Sequence, residues 1–226
     1  MKKILLLLAL SGLTTTAFAQ GLPGGPDSSK DYATGGTGGE TRNSGFGVKG
    51  GYNLNQLRGD DISGLNRNSV SDFHAGVYGQ LGFGSFSSIQ AEILYSRMGF
   101  EANTGTNGAN QKFRNDFLML PVMYVGNFTQ NLSFHVGPQV ALLTKVIQDG
   151  NSLDIADNAF NSFNFGGVAG LEAHFGPARI GARYNLFLGK VFEDNPPTTA
   201  AVATRFGNAD IYNNLYQVYV GIGIAR

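Results

Sequence analysis

The sequence contains no cysteine and few charged residues. Without cysteine the chain can form no disulfide bond, and it has no thiol to which a lipoprotein anchor could be attached. Only 14% of its residues are charged, whereas soluble domains have roughly 25%. A water-soluble domain of this size would therefore have too few charged side chains for its solvent-exposed surface. Its 16 basic and 16 acidic residues balance, which offers no electrostatic footprint for nucleic acid.

The N-terminal residues have the pattern of a secretory signal peptide. Lys2 and Lys3 form a positive region, residues 4–10 are apolar, and Ala-Phe-Ala at 17–19 fits a cleavage site. The apolar stretch is too short to cross a bilayer as a helix. The pattern therefore predicts export, with a mature chain that starts at Gln20.

Long apolar runs are missing from the rest of the chain. After the signal, the longest run covers residues 117–125, well short of the roughly 20 residues of a spanning helix. Because lipid offers no partner to unpaired backbone groups, a membrane protein without spanning helices must close its strands into a barrel.

Eight segments after residue 43 alternate between an apolar face and a small or polar face. In the first segment Phe46, Val48 and Tyr52 share one face, and Lys49 and Asn53 share the other. The segments cover residues 45–55, 73–83, 88–96, 117–125, 132–145, 164–175, 179–188 and 216–224. A period of two predicts strands. The even number of segments predicts an all-β fold, an eight-stranded antiparallel up-and-down transmembrane barrel.

The connections between these segments alternate between short and long. Short connections lie at 84–85, 126–131 and 176–177, and long polar ones at 56–69, 99–115, 147–162 and 190–213. This asymmetry is typical of short periplasmic turns and long extracellular loops.

Aromatic residues of the apolar face fall near both ends of the segments, as two interfacial girdles would require.

The polar face consists mainly of Gly, Ser, Asn and Gln with a few charges. Such a face suits a crowded barrel interior better than a solvated exterior, and eight strands leave just enough lumen for side chains to fill. We therefore predict a filled lumen and no open pore. The larger polar side chains predicted in the lumen are Lys49, Glu92, His135, Lys145, Glu172, His174, Arg179 and Arg183.

The tight turn at 176–177 predicts one specific ion pair. It pairs residues of the two flanking strands whose numbers sum to 353. By this register Glu172 faces Gly181 and lies diagonal to Arg183, within reach of long side chains. Because an unpaired charge is costly in a poorly hydrated lumen, we predict a structural ion pair between Glu172 and Arg183.

The histidines raise the question of chemistry. His135, His174 and Glu172 could form a metal or acid/base site, but histidines on separate strands are far less specific than a helical H-E-x-x-H pattern, and lumen packing explains them as well. We predict no catalytic residue, no metal and no cofactor. The tripeptide Arg58-Gly59-Asp60 falls in the first long connection. It would suit integrin binding if the host were animal, but generic turn chemistry also explains it.

Six stretches resemble, in order, the PorT-type outer-membrane β-barrel family of Bacteroidetes. They are GVKGGYNLN (47–55), QAEILYSRMGF (90–100), DFLMLPVMYV (116–125), GPQVALLTK (137–145), FNFGGVAGLE (163–172) and GARYNLFLG (181–189). The resemblance implies an outer-membrane barrel but no common activity, and PorT-like members are associated with type IX secretion. The final Ile224-Ala225-Arg226 departs from the aromatic end that the assembly machinery usually reads in such barrels.

Together these patterns predict a signal peptide (1–19), a disordered glycine-rich periplasmic leader (20–43) and the barrel (44–226). We expect a non-enzymatic integral protein of the bacterial outer membrane, with both termini periplasmic and a structural, membrane-stabilising or surface-display role. The alternatives are an accessory component of a secretion or transport apparatus and a small barrel enzyme. The expected partners are outer-membrane lipid, lipopolysaccharide, the barrel-assembly machinery and, under the first alternative, secretion-system proteins.

Overall fold

The computed structural model describes residues 44–59, 65–66, 70–83, 86–103, 110–148, 151–153, 160–191 and 210–225. The predicted signal peptide and leader lie outside these residues, as do Asp60 and parts of the long connections. Within the described part of the chain, no helix is long and apolar enough to cross a membrane.

The alternating segments form strands. In chain order the strands of the described residues are β1 (Gly45–Arg58), β2 (Leu65–Asn66), β3 (Val70–Gly82), β4 (Ser87–Asn103), β5 (Asn110–Asn127), β6 (Leu132–Gln148), β7 (Asn151–Leu153), β8 (Phe163–Phe175), β9 (Ala178–Lys190) and β10 (Tyr212–Ala225). Within the described residues, the short strand β2 pairs with β4 and the short strand β7 pairs with β6. The β4–β5 ladder continues to Asn103 and Asn110, so most of the connection predicted at 99–115 is strand. Its composition is mainly polar, which hid the strand from the sequence pattern, although Phe113 faces the lumen.

The long strands close into a barrel. Among the described residues, each of the eight pairs antiparallel with two neighbours in the order β1–β3–β4–β5–β6–β8–β9–β10, and β10 returns to β1. The predicted eight-stranded antiparallel barrel is therefore confirmed. Because the ladder has no open edge, every strand can satisfy its backbone groups without water.

The apolar face of each strand points outwards. Val77, Ile93, Leu171 and Val220 are each at least 50% exposed, although their size and chemistry favour burial. A continuous exposed band of such residues needs a non-aqueous cover.

At the tight turn between β8 and β9, Gly176 has a φ of 60°, a left-handed conformation that glycine adopts without steric cost.

One predicted lumen residue lies on the outer face instead. Phe117 of β5 pairs with Leu143 of β6, and Asp116 pairs with Lys145, so Thr144 is an extra residue in β6. A β-bulge of this kind reverses the facing of the residues that follow it. Lys145 is therefore exposed outside the barrel, and its predicted lumen position is wrong because strict alternation was carried through the bulge.

Candidate functional site in the barrel interior

The half of the lumen nearest the short turns holds a charged cluster. Its members are Lys49 (β1), Glu92 (β4), Glu172 (β8), Arg179 and Arg183 (β9), and none of them is more than 7% exposed. The alternation of each strand points these side chains inwards. Three cations and two carboxylates share this space, so at least one carboxylate has to pair with more than one cation.

Glu92 connects three strands of the barrel wall. Its Oε1 accepts hydrogen bonds from Lys49 Nζ and Gln90 Nε2, each at 2.6 Å, and its Oε2 accepts one from Arg183 Nη1 at 2.7 Å. Because β4 and β9 lie on opposite sides of the ring of strands, the Glu92–Arg183 ion pair crosses the lumen.

Glu172 is the second shared acceptor. Its Oε2 accepts a hydrogen bond from the Tyr219 hydroxyl at 2.8 Å, and its Oε1 accepts one from Arg179 Nη1 at 3.2 Å. His174 Nε2 lies 3.2 Å from the same Oε1, and Lys49 Nζ lies 3.7 Å from Oε2. Lys49 thus connects the two carboxylates of the charged cluster.

The partner predicted for Glu172 was wrong, although the register on which it rested is right. Glu172 pairs with Gly181, and Arg183 pairs with Gly170, as the turn requires. The Arg183 guanidinium nevertheless forms its ion pair with Glu92 on the far wall. The prediction considered adjacent strands only, whereas in a narrow lumen the opposite wall is equally within reach.

Gly181 explains why Glu172 takes a different partner. With no side chain at this position, Tyr219 of β10 lies across β9 and reaches the Glu172 carboxylate; a Cβ on Gly181 would collide with the ring and hydroxyl of Tyr219. The Arg183 guanidinium lies over the same ring, 5.2 Å from its centroid. The Tyr219 ring therefore occupies the space through which Arg183 would approach Glu172.

Ser133, which the sequence interpretation did not single out, lies between both histidines and Glu172. Its Oγ is 3.0 Å from His174 Nε2 and 3.3 Å from His135 Nε2. His174 Nε2 also faces Glu172 Oε1. A hydrolytic triad needs a histidine whose two different nitrogens contact the serine and the carboxylate. Here the same nitrogen, His174 Nε2, faces both Ser133 and Glu172.

No group of His, Cys, Asp and Glu in the described residues is arranged to hold a metal ion.

Amide side chains extend this network along the lumen. Gln217 Oε1 accepts hydrogen bonds from Arg183 Nε at 2.7 Å and Asn185 Nδ2 at 3.0 Å, and Gln217 Nε2 donates to Asn53 Oδ1 at 2.8 Å. Asn53 Oδ1 is also 2.8 Å from His74 Nδ1. Alternation predicts the inner facing of these residues, but it does not predict which of them meet.

The half of the lumen nearest the long connections contains a cluster of buried apolar side chains, beside buried amides such as Asn55, Asn115 and Asn213. We call the residues of this cluster the apolar plug: Leu94, Met98, Phe113, Phe117, Met119, Ala141, Leu143, Val146, Phe160, Phe187, Val191, Ile211 and Leu215. The sequence interpretation expected small and polar residues here and missed the plug. The sequence did indicate the plug in the fourth predicted segment, which is β5 of the structure. There Phe117, Met119 and Met123 occupy the face that is polar in the other strands.

A closed barrel with an apolar exterior and an ion-paired lumen defines an integral outer-membrane β-barrel protein. Residues 18–193 match the family described as Outer membrane protein beta-barrel domain. The chain belongs to this family, which confirms the outer-membrane barrel expected from the resemblance. The family match is not specific to PorT-type members, so that finer assignment stays a prediction.

Three solved outer-membrane proteins are similar to this chain. Ail, the attachment invasion locus protein of Yersinia pestis, is 12% identical over 80% of this chain and 99% of its own, with a TM-score of 0.47. Neisserial surface protein A is 14% identical over 80% and 98%, with a TM-score of 0.47. OprG from Pseudomonas aeruginosa is 12% identical over 81% and 97%, with a TM-score of 0.41. None of the curated proteins matches the sequence.

Proposed function

We propose that the protein is a non-conducting outer-membrane barrel, without enzymatic activity, that stabilises the membrane and displays the long-connection end of the barrel at the cell surface. The observation that carries this proposal is the filled lumen. Both halves of the barrel interior are occupied, one by the charged cluster and one by the apolar plug.

Each half of the lumen opposes the passage of ions for a different reason. In the charged cluster, side chains from opposite walls are bound to each other, so an ion would have to displace existing pairs such as Glu92–Arg183. In the apolar plug, Phe117, Met119 and Phe187 offer no polar group to replace the water around an ion. The two barriers lie in series along one narrow barrel.

The proposed orientation rests on the positions of the strand ends. Phe46 near the start of β1 pairs with Ala225 at the end of β10, so the first and last strands meet at the end that carries the short turns. Short turns face the periplasm in bacterial barrels of this kind. We therefore infer that both termini are periplasmic and that the long connections face the outside.

The resemblance to PorT-type proteins supports one alternative, an accessory role in a type IX secretion apparatus. A secretion component would be extracted from native membranes as part of a larger assembly. The structural role predicts a barrel that is extracted alone, without stoichiometric protein partners.

The proposal is tested by conductance in planar bilayers. The purified mature chain should produce no stable single-channel steps, and a Phe117→Ala/Phe187→Ala variant serves as the control in which the apolar plug is opened. Large, reproducible steps from the unaltered chain, after removal of contaminating porins, would contradict the proposal.

A further inference from the structure

The outer surface of β4, β5 and β6 changes from apolar to charged at one level. Along β4 the outward residues after Ser87 are Ile89, Ala91, Ile93 and Tyr95, and then Arg97. A strand crosses a membrane in roughly 9–11 residues. Arg97 is therefore placed at the far membrane–water interface, just beyond the apolar band.

The same level on the neighbouring strands also carries charge. Arg97 pairs across the ladder with Asp116 of β5, and Asp116 pairs with Lys145 of β6. Lys145 joins this row only because the bulge at Thr144 points it outwards. Bulges commonly re-aim a side chain towards a functional position, so the extra residue in β6 completes a row of charges on the outer surface.

Arg97 and Asp116 form a fixed centre within this row. Arg97 Nε donates to Asp116 Oδ1 at 2.6 Å and Arg97 Nη2 donates to Oδ2 at 3.0 Å, a bidentate pair. Arg97 Nη2 also donates to the Tyr95 hydroxyl at 2.9 Å, and the guanidinium lies 5.6 Å from the centroid of the Phe73 ring. Asp116, the carboxylate of this row in the part of the chain that the structure describes, is therefore already engaged by Arg97.

Two further cations lie on either side of this centre. Lys145 is exposed beside Asp116. Arg114 lies two residues from Asp116 on the same face of β5. Its side chain is 43% exposed, and its Nε forms a long ion pair of 3.9 Å with Asp72 Oδ1 of β3, without a hydrogen bond. With Asp72 included, three cations face two carboxylates here, so positive charge predominates at the edge of an apolar, lipid-facing surface.

We propose that Arg114 and Lys145 bind a phosphate group on the headgroup of an outer-leaflet glycolipid, while the acyl chains of that lipid lie along the apolar surface of β4–β6. Charge complementarity selects the phosphate, and the adjoining apolar band selects a lipid over a soluble anion. The pair between Arg97 and Asp116 offsets the charge of that carboxylate beside the phosphate. The assignment to the outer leaflet rests on the orientation proposed above.

The test measures lipid binding to the purified barrel in detergent micelles by native mass spectrometry. The probe is a phosphorylated lipid A, and its dephosphorylated form and inorganic phosphate are the comparison ligands. The variant is Arg114→Gln/Lys145→Gln, and the matched control is Lys190→Gln on β9, which removes a cation from the same end of the opposite wall.

We expect the double variant to bind phosphorylated lipid A roughly tenfold more weakly or worse, given the usual contribution of each cation at a membrane surface, and the Lys190→Gln variant to bind as the unaltered chain does. Equal binding by the double variant would overturn the proposal. So would equally tight binding of the dephosphorylated lipid or of inorganic phosphate alone. Because binding in micelles depends neither on conductance nor on orientation, these outcomes are independent of the proposed function.

Discussion

Arg183 of β9 and Glu92 of β4 form an ion pair of 2.7 Å across the lumen, although 91 residues separate them in the chain. The pair joins opposite walls of the barrel, so it restrains the cross-section in a way that the hydrogen bonds between neighbouring strands do not. Both side chains are buried, with 1% and 0% exposure. Their energetic coupling is accordingly the first property to measure.

We expect Arg183→Ala to destabilise the barrel by about 3–5 kcal/mol, because it leaves the Glu92 carboxylate buried without one of its cations. Lys190→Ala, which removes a partly exposed pair with Asp210, should cost about 1 kcal/mol or less. Urea unfolding in lipid vesicles measures both effects. If the two variants are equally stable, the cross-lumen pair does not contribute as proposed.

A double-mutant cycle tests the pairing itself. Glu92→Ala and Arg183→Ala should be coupled by roughly 0.5–3 kcal/mol, as residues in direct contact are. The cycle between Glu172 and Arg183 is the matched comparison and should show weaker coupling, because Arg183 contacts Glu92 and Gln217 instead. Stronger coupling of Arg183 to Glu172 would restore the pair predicted from sequence and contradict the structure.

Gly181 should tolerate no side chain. Gly181→Ala is expected to cost roughly 1–3 kcal/mol, because the new Cβ would collide with the Tyr219 ring. Gly79→Ala is the control, since a Cβ there meets no atom within 4 Å. In a Tyr219→Ala background the Gly181→Ala penalty should largely disappear, and a penalty that persists would show that Tyr219 does not occupy this space.

These residues show how far sequence reasoning reaches in a barrel. Strict alternation predicts the eight strands of the barrel wall and the face of nearly every residue in them, because lipid and lumen impose opposite chemistry on neighbouring positions. It does not predict the short β2 and β7. Register follows wherever a turn is tight, as for Glu172 and Gly181. Contacts across the lumen cannot be predicted in this way. Glu92 and Arg183 lie on strands that are not neighbours, so the register between adjacent strands does not bring them together.

The bulge at Thr144 and the apolar plug were missed for different reasons. A single extra residue such as Thr144 does not change the composition of a strand in a recognisable way. It nevertheless places Lys145 on the outer face of the barrel wall instead of the lumen face. The plug did leave a mark, in Phe117 and Met119, but both faces of that segment are apolar and the pattern alone does not say that the lumen changes character along its length.

The absence of cysteine makes the orientation directly measurable. Asp210 and Thr129 are exposed at opposite ends of the barrel, so Asp210→Cys and Thr129→Cys each introduce a single reactive thiol. A membrane-impermeant maleimide should label the Asp210→Cys variant in intact cells, and the Thr129→Cys variant only after the outer membrane is permeabilised. The reverse pattern would show that the long-connection end faces the periplasm.

The most direct test of the central claim, a closed barrel integral to the outer membrane, is the electrophoretic migration of the mature chain recovered from separated membranes. We predict that it is found in the outer-membrane fraction and that an unheated sample migrates differently from a boiled one, because the closed strand ladder has no edge from which to unfold in detergent. Recovery as a soluble periplasmic protein whose migration does not change on heating would contradict this account.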